Sequence, residues 1–420
     1  MLTITRVPTV MLLEQMSQST DDLKAVEAYG ASKLMNSESL PGAIMPLYKC
    51  AQRSPLALRK RVRSFGDLQS VPDILDYNST DSADSSSDED SMNSKSLFDM
   101  ILLAQWDKMS TEGMFRYDVT ECSTKMIPGR IGFVAQLNEG RALKKRPTEF
   151  RVDLVKQAFD PSKFNFTKAA QKEALFQLDT ASDTRTYLRD AKVLDDSPHL
   201  VVINVSPIEY GHVLLVPRVL DNLPQQIQPH LLQVAIEMVA ESANPFFRAG
   251  YNSLGAYATI NHLHFQAYYM MAPFPIERAS SVRLGRKRKT SVIVSRLTDY
   301  PVRALVFESA TDPAELAALC GDACVKLQDS NMPFNLLIVD GGARVFLIPQ
   351  CYAEKQARKL VDEKYLDTQV NPACFEICGH MVLKRQEDYD NFTEAFTCDL
   401  LSQVSLSEER FQSVIDMIGF

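Results

Sequence analysis

Two of the six histidines in this 420-residue chain lie one residue apart, in segment 260–266 (Ile-Asn-His-Leu-His-Phe-Gln). Side chains alternate between the two faces of a β-strand. An extended conformation therefore places His262, His264 and Gln266 on one face and the apolar residues between them on the other. This predicts a strand with a core on one side and a phosphate-sized pocket on the other. The pair alone leaves three interpretations open: two buried histidines with all hydrogen bonds made, half of a metal site, or a catalytic nucleophile.

The turn before this segment supplies further polar groups. Asn252 and Ser253 offer side-chain and backbone donors, and Gly255 would let the backbone approach a phosphate closely. A tight turn without a ligand explains the same residues. Thr259 adds a hydroxyl three residues before His262 and is a candidate phosphate donor.

Composition excludes several classes of protein. The net charge of −8 argues against a general nucleic-acid binder, which needs a basic face to neutralise phosphates. No apolar run reaches transmembrane length. The first 16 residues lack the apolar centre of a secretory signal and the Arg-rich, acid-free character of a transit peptide. We expect a soluble intracellular protein with no membrane partner.

The cysteines do not predict a metal site. Cys320 and Cys324 are spaced by four residues, as are Cys374 and Cys378, among eight cysteines in all. Closed zinc sites normally use tighter knuckles, and cysteine is a common small buried residue. We expect reduced structural thiols, no metal and no cofactor.

Periodicity predicts a chain of mixed α+β class. Segment 76–95 is acidic and Ser-rich and predicts disorder, with three serines that an acid-directed kinase would accept. A capping box at Ser96 predicts a helix to about Met109, and strands are expected at 115–119 and 132–138. Runs 199–206 and 212–218 predict a hairpin, followed by a helix over 231–242.

A similar order returns later in the chain. A helix begins at Asp312, and two apolar runs, 334–340 and 344–350, flank the turn Gly341-Gly342. These runs match 200–218 loosely and predict a second half-domain without a His-x-His strand. A final helix is expected over 407–417.

At this point the motifs resemble a known superfamily. The run from Gly211-His212 to Pro217-Arg218, the turn Asn252-Ser-x-Gly255 and His262-x-His264-x-Gln266 resemble the histidine-triad superfamily. Gln266 in the third place resembles its nucleotidyltransferase branch, which includes galactose-1-phosphate uridylyltransferase. Longer stretches resemble the plant GDP-L-galactose phosphorylase family, at residues 1–10, 115–119, 132–140, 144–153, 204–212 and 250–256.

The resemblance implies a fold, a reaction and a partition of the chain. The fold is a histidine-triad-like α+β fold with two related half-domains, whose antiparallel sheets are flanked by helices. The boundaries are an N-terminal extension (1–95), a catalytic half (96–276), a degenerate half (277–385) and a C-terminal helical segment (386–420). The substrates are GDP-L-galactose and inorganic phosphate, and the products are L-galactose 1-phosphate and GDP, in ascorbate synthesis.

By the same analogy His264 is the nucleophile that forms a guanylyl-histidine. Its other ring nitrogen needs an acceptor, for which a backbone carbonyl near His262 is expected. His262 has either a structural role or a direct phosphate contact. Gln266 donates to a non-bridging oxygen but cannot act as a general acid. His212 and Arg218 are expected to serve packing or solvent contact.

Several alternatives remain at this stage. GDP-D-glucose and GDP-mannose compete with GDP-L-galactose as the substrate. A histidine-triad hydrolase and a non-catalytic nucleotide-binding regulator are rival functions. The basic clusters at 144–146 and 283–289 are expected to be solvated loops. The alternative for the second cluster is a nuclear localisation signal, which would place the protein in the nucleus as well as the cytoplasm. A homodimer is a further expectation.

Overall fold

The computed structural model describes residues 44–50, 96–144, 150–169, 171–180, 188–192, 197–270, 272–285 and 290–420. Segment 76–95 and the basic residues 286–289 lie outside these ranges, so disorder, phosphorylation and the nuclear address stay predictions. Within these ranges no helix has the length and apolarity needed to span a membrane. Among the same residues, no three His, Cys, Asp or Glu side chains are grouped so that they could hold a metal ion.

Most strands belong to one large sheet. The strands of the described chain are β1 (Ile44–Lys49), β2 (Thr124–Met126), β3 (Val134–Leu137), β4 (Ala174–Asp179), β5 (Leu188–Lys192), β6 (His199–Ile203), β7 (Val213–Val216), β8 (Phe247–Asn252), β9 (Phe265–Tyr269), β10 (Ser281–Arg283), β11 (Ile293–Leu297), β12 (Leu305–Glu308), β13 (Phe334–Val339), β14 (Arg344–Pro349) and β15 (His380–Leu383). Twelve form the order β10-β11-β12-β14-β13-β8-β9-β7-β6-β4-β1-β5, and the other three form a small sheet, β15-β3-β2. Pairing is antiparallel except between β1 and β4 and between β3 and β15.

The helices cover both faces of the large sheet. They are α1 (Leu97–Thr111), α2 (Glu139–Lys144), α3 (Pro229–Glu241), α4 (Pro313–Asp329), α5 (Tyr352–Ala357), α6 (Glu363–Leu366), α7 (Cys374–Cys378), α8 (Gln386–Asn391), α9 (Glu394–Val404) and α10 (Glu408–Ile418). The predicted helix starts are confirmed, because Ser96, Asp312 and Ser407 each accept a hydrogen bond from a backbone N–H of the first turn.

Two half-domains with the same element order meet edge to edge. The first is β6-β7-α3-β8-β9 and the second is β11-β12-α4-β13-β14. Each occupies the sheet in the corresponding order, and the halves join where β8 pairs with β13. The predicted match of 334–350 to 200–218 is therefore wrong. The hairpin β13–β14 corresponds to β8–β9, so β14 takes the place of the histidine strand.

The predicted strand at 115–119 is also wrong. These residues form bends that lead into a short 3₁₀ helix, Val119–Glu121. The side chain of Asp118 accepts from the backbone N–H of Thr120 at 2.8 Å, which closes a turn where a strand would need an extended neighbour.

The large sheet separates two apolar layers. Val213, Leu215 and Phe265 face the layer that contains α1, α3 and α4. The opposite face carries two smaller clusters. One, the Phe166 cluster, includes Val202 and Leu214. The other, the Phe375 cluster, lies against the small sheet and α7. The gap between these two clusters is where the candidate site lies.

A buried ion pair connects β8 of the first half to the segment that links the two halves. Arg248 on β8 and Glu277 form two hydrogen bonds of 2.8 and 2.9 Å. Their side chains are 1% and 4% exposed. The Glu277 carboxylate also accepts from the backbone N–H of Phe274 at 2.8 Å.

We predict that Glu277→Gln lowers the free energy of unfolding by about 3–5 kcal/mol, because it leaves a buried guanidinium without its counter-charge. Urea denaturation measures this change. Asp153→Asn is the control, since it removes the exposed pair Arg151–Asp153 and is expected to leave the midpoint unchanged. Equal midpoints for the two variants would show that the buried pair does not stabilise the junction.

Candidate active site

A cleft opens on the second face of the sheet, between the Phe166 and Phe375 clusters. His264 and Gln266 line it, together with Asn252 and Thr259. The cleft opens to solvent on one side, and both polar and apolar side chains line it.

The two histidines precede the strand to which the sequence analysis assigned them. β9 begins at Phe265, and residues 260–264 are extended or bent without ladder hydrogen bonds. The alternation of faces is present nevertheless. Leu263 and Phe265 point into the helix-covered layer, whereas His264 and Gln266 line the cleft.

Gln225 replaces the missing strand partner of His264. Its side-chain oxygen accepts from the backbone N–H of His264 at 2.9 Å, and its amide nitrogen donates to the His264 carbonyl at 3.1 Å. The same nitrogen donates to the Asn252 carbonyl at 2.9 Å. One fully buried amide therefore fixes the backbone of His264 and couples it to the end of β8.

The ring of His264 is oriented by its own neighbour. Nδ1 lies 2.8 Å from the carbonyl oxygen of His262, the acceptor that the sequence analysis expected. A carbonyl only accepts, so Nδ1 carries the proton and Nε2 keeps its lone pair. Burial lowers the pKa of His264 to about 4, against the opposing effect of the His262 carbonyl. The ring is therefore neutral at neutral pH, as a nitrogen nucleophile must be.

His262 lies behind this arrangement and does not line the cleft. Its side chain is fully buried between Phe159 and Phe166, at ring distances of 5.4 and 5.5 Å. Its Nδ1 accepts from the backbone N–H of Phe166 at 3.1 Å. Burial, followed by the neighbouring His264, lowers its pKa to about 4. These contacts support the structural role and hold Phe166 5.2 Å from the His264 ring.

His212 lies beside Gln266, a contact that the sequence analysis did not foresee. Its Nδ1 accepts from the backbone N–H of Ile208 at 2.9 Å, so the neutral ring carries its proton on Nε2. That nitrogen lies 3.1 Å from the side-chain amide of Asn204, whose oxygen accepts from the Ser206 N–H at 3.0 Å. His212 is therefore buried just before β7, beside a residue that lines the cleft.

The turn residues separate into two groups. Asn252 lines the cleft, and its side-chain oxygen accepts from Asn335 at 2.7 Å and from the Cys374 N–H at 2.9 Å. Ser253 is fully buried and accepts from the Phe334 N–H, outside the cleft. Gly255 has φ +78°, and a Cβ there would lie 2.9 Å from the Val152 carbonyl. The expected phosphate contacts of Ser253 and Gly255 are thus replaced by contacts within the fold.

The two walls of the cleft differ in chemistry. The wall on the Phe166 side is apolar, with Val202, Leu214 and Ile260, and carries one acid, Glu173. The opposite wall, here called the polar wall, carries charged and amide side chains beside the apolar Phe375 and Val382, and part of it follows β14 in the chain. It contains Arg116, Asn138, Arg141, Asn371, Glu376 and Lys384. One wall suits a nucleobase and the other suits anionic groups.

Close packing brings α7, which follows the second half-domain in the chain, to the histidine strand. Gly250 pairs with Gln266, and a Cβ at Gly250 would lie 2.9 Å from Sγ of Cys374 and 3.0 Å from the Phe375 ring. The absence of a side chain therefore lets α7 reach the floor of the cleft.

Most of the site residues that the sequence analysis missed reach the site from segments far from His264 in the chain. Gln225 follows a proline in a loop, Arg141 lies in a short helix, and Lys384 follows β15. No periodicity or spacing marks them. Only His212 carried a signal, because it belongs to the quoted Gly-His motif.

Fold and site together define an α+β protein with two half-domains of the same element order and one buried imidazole, that of His264, at a cleft on one face of the sheet. Models of the GDPGP1-like N-terminal and C-terminal domains match residues 97–268 and 275–419. The chain belongs to the GDPGP1-like family.

The chain is also similar to named proteins. GDP-L-galactose phosphorylase 1 of Arabidopsis thaliana is 48% identical, over 99% of this chain and 88% of that protein. GDP-D-glucose phosphorylase 1 of Homo sapiens is 34% identical, over 76% of this chain and 82% of that protein. The structure of yeast Ap4A phosphorylase Apa2 with Ap4A aligns at a TM-score of 0.49 and 16% identity, over 74% of this chain and 97% of that chain.

We predict that the His264 ring stays neutral from pH 8 down to about pH 5 and is protonated only near pH 4, because burial penalises its charged form. NMR of protein labelled with ¹³C at histidine Cε1 measures this titration, and His264→Asn assigns the resonance. A midpoint near the reference value of about 6.5 would show that water reaches the ring in the free protein.

Proposed function

We propose that this protein is a GDP-hexose phosphorylase that transfers GMP from a GDP-hexose to inorganic phosphate. The family assignment and the names of its relatives support this reaction class. The observation that carries the mechanism is the neutral, oriented ring of His264 at the cleft floor, with Nδ1 held by the His262 carbonyl.

The first half-reaction forms a guanylyl-histidine. Nε2 of His264 attacks the α-phosphorus of the GDP-hexose, and the bond from that phosphorus to the bridging oxygen breaks. The hexose 1-phosphate leaves with the electron pair of that bond. No proton has to move, because Nδ1 keeps its hydrogen and the carbonyl of His262 stabilises the positive charge that develops on the ring.

The second half-reaction returns the enzyme to its starting state. An oxygen of inorganic phosphate attacks the same phosphorus, the P–N bond breaks, and the electron pair returns to Nε2. GDP is released. Two displacements predict ping-pong kinetics and net retention of configuration at phosphorus.

We propose that Gln266 stabilises the transition state and does not protonate the leaving group. An amide donates to a non-bridging oxygen without changing the charge of the site. It supplies no proton, and none is needed because a sugar phosphate leaves as a stable anion. This favours phosphorolysis over the rival hydrolase function.

We propose GDP-L-galactose as the substrate, which places the reaction in ascorbate synthesis. The support is that the relatives at 48% identity are named GDP-L-galactose phosphorylases, whereas those named for GDP-D-glucose are at most 34% identical. Comparison of kcat/KM for GDP-L-galactose, GDP-D-glucose and GDP-mannose tests this choice. The homodimer and the cytoplasmic and nuclear locations stay predictions.

Incubation with GDP-hexose in the absence of phosphate should give a protein adduct equal in mass to one guanylyl group, located on His264. His264→Asn should abolish the adduct and lower kcat by about 10⁴-fold or more, because it removes the nucleophile. His230→Asn is the matched control, since His230 is exposed and lies at the start of α3. Full turnover by His264→Asn would exclude the covalent route.

Product analysis separates the rival functions. At high phosphate the proposed enzyme releases GDP, whereas a hydrolase releases GMP. A non-catalytic nucleotide-binding regulator would bind GDP-hexose and release neither product.

Gln266→Ala should lower kcat by about 10²–10³-fold, as expected for loss of one donor to the transition state. The adduct on His264 should still form, only more slowly. Single-turnover rates of adduct formation measure this effect. An unchanged rate would assign Gln266 a packing role beside His212.

A further inference from the structure

Two of the three cations at the polar wall of the cleft, Arg141 and Lys384, are brought there by the small sheet. β15 runs parallel to β3 with Leu383 opposite Leu137, and the Asn138 N–H donates to the Leu383 carbonyl at 2.8 Å. Lys384 therefore leaves the sheet beside Asn138. The side-chain oxygen of Asn138 accepts from the backbone N–H of Arg141 at 2.9 Å. Both cations line the same cleft as His264.

Neither cation has an ion-pair partner among the described residues. Arg141 donates to the carbonyl of Ser206, and Nζ of Lys384 donates to the carbonyl of Gln369 at 2.6 Å. A guanidinium has five N–H groups and an ammonium has three, so these contacts leave donors for a ligand. Glu376 is the one acid in the same wall.

Arg141 and Lys384 line one wall beside a single acid, Glu376, so a bound anion would balance the second positive charge. Burial lowers the pKa of Lys384, the Glu376 carboxylate opposes this change, and the positive charge of Arg141 adds a smaller lowering. Two like charges in partial burial are costly unless an opposite charge neutralises them. A bound phosphate supplies that charge.

We propose that Arg141 and Lys384 form the subsite that binds inorganic phosphate for attack on the guanylyl-histidine. The inference rests on the proposed function and names the residues that let phosphate outcompete water. In the reverse direction, and in the first half-reaction, the same subsite holds the phosphate of the sugar phosphate. The covalent change is the one already described: a phosphate oxygen bonds to the α-phosphorus as the P–N bond breaks.

The proposed subsite combines one residue from each family domain. Lys384 lies beyond β15 in the C-terminal family domain, and Arg141 lies in the N-terminal one with His264. The small sheet, in which β15 of one domain pairs with β3 of the other, brings the two cations to the same cleft.

The test isolates the second half-reaction. A guanosine 5′-phosphorimidazolide, which has no β-phosphate, charges His264 without using the subsite. The charged enzyme is then mixed with increasing phosphate, and GDP and GMP are quantified. For Lys384→Met we expect the phosphate concentration that gives half-maximal GDP to rise about 10–100-fold, as for loss of one charged hydrogen bond. Lys384→Arg should restore most of the affinity.

Arg385→Met is the matched control, because it removes a neighbouring exposed charge that pairs with Asp388. It should give the phosphate dependence of the unmodified protein. The ratio of GDP to GMP is the decisive readout, since general damage to the fold lowers both products together. A Lys384→Met enzyme with an unchanged ratio overturns the subsite. A failure of the unmodified enzyme to form GDP from phosphate overturns the proposed function instead.

Discussion

The chemistry proposed for this protein depends on one hydrogen bond, from Nδ1 of His264 to the carbonyl of His262 at 2.8 Å. It fixes which nitrogen carries the proton, turns the lone pair toward the cleft and offers a partner for the charge that attack creates. Burial adds to the effect by keeping the ring neutral. A solvated imidazole would spend part of its time protonated or turned away.

The surrounding structure maintains this bond through contacts that are themselves buried. Gln225 holds the backbone of His264 where no strand partner exists, and His262 is wedged between phenylalanine rings. The core on one face of the sheet anchors Leu263 and Phe265, which alternate with the functional residues. A substitution in this second layer should therefore disturb the reaction without touching the substrate.

The second half-domain repeats the element order of the first without its histidine. The two half-domains pair through β8 and β13. In the second half, β14 occupies the position of the histidine strand and carries no histidine. The cleft is asymmetric because its polar wall comes from segments outside both halves, such as those of Arg141 and Lys384.

The sequence by itself determined the local features of this protein. Neighbouring residues determine these features, because strand and helix periods are properties of short segments. They include the alternation in 260–266, the hairpins, and the helix caps at Ser96, Asp312 and Ser407. The acceptor for His264 was predictable for the same reason, since it lies two residues away. Tertiary structure alone decided the register of the two halves, the hydrogen bonds of Gln225 to His264 and the placement of Arg141 and Lys384 in one cleft. These features depend on contacts between residues that are far apart in the chain, and local sequence patterns do not predict the geometry of such contacts.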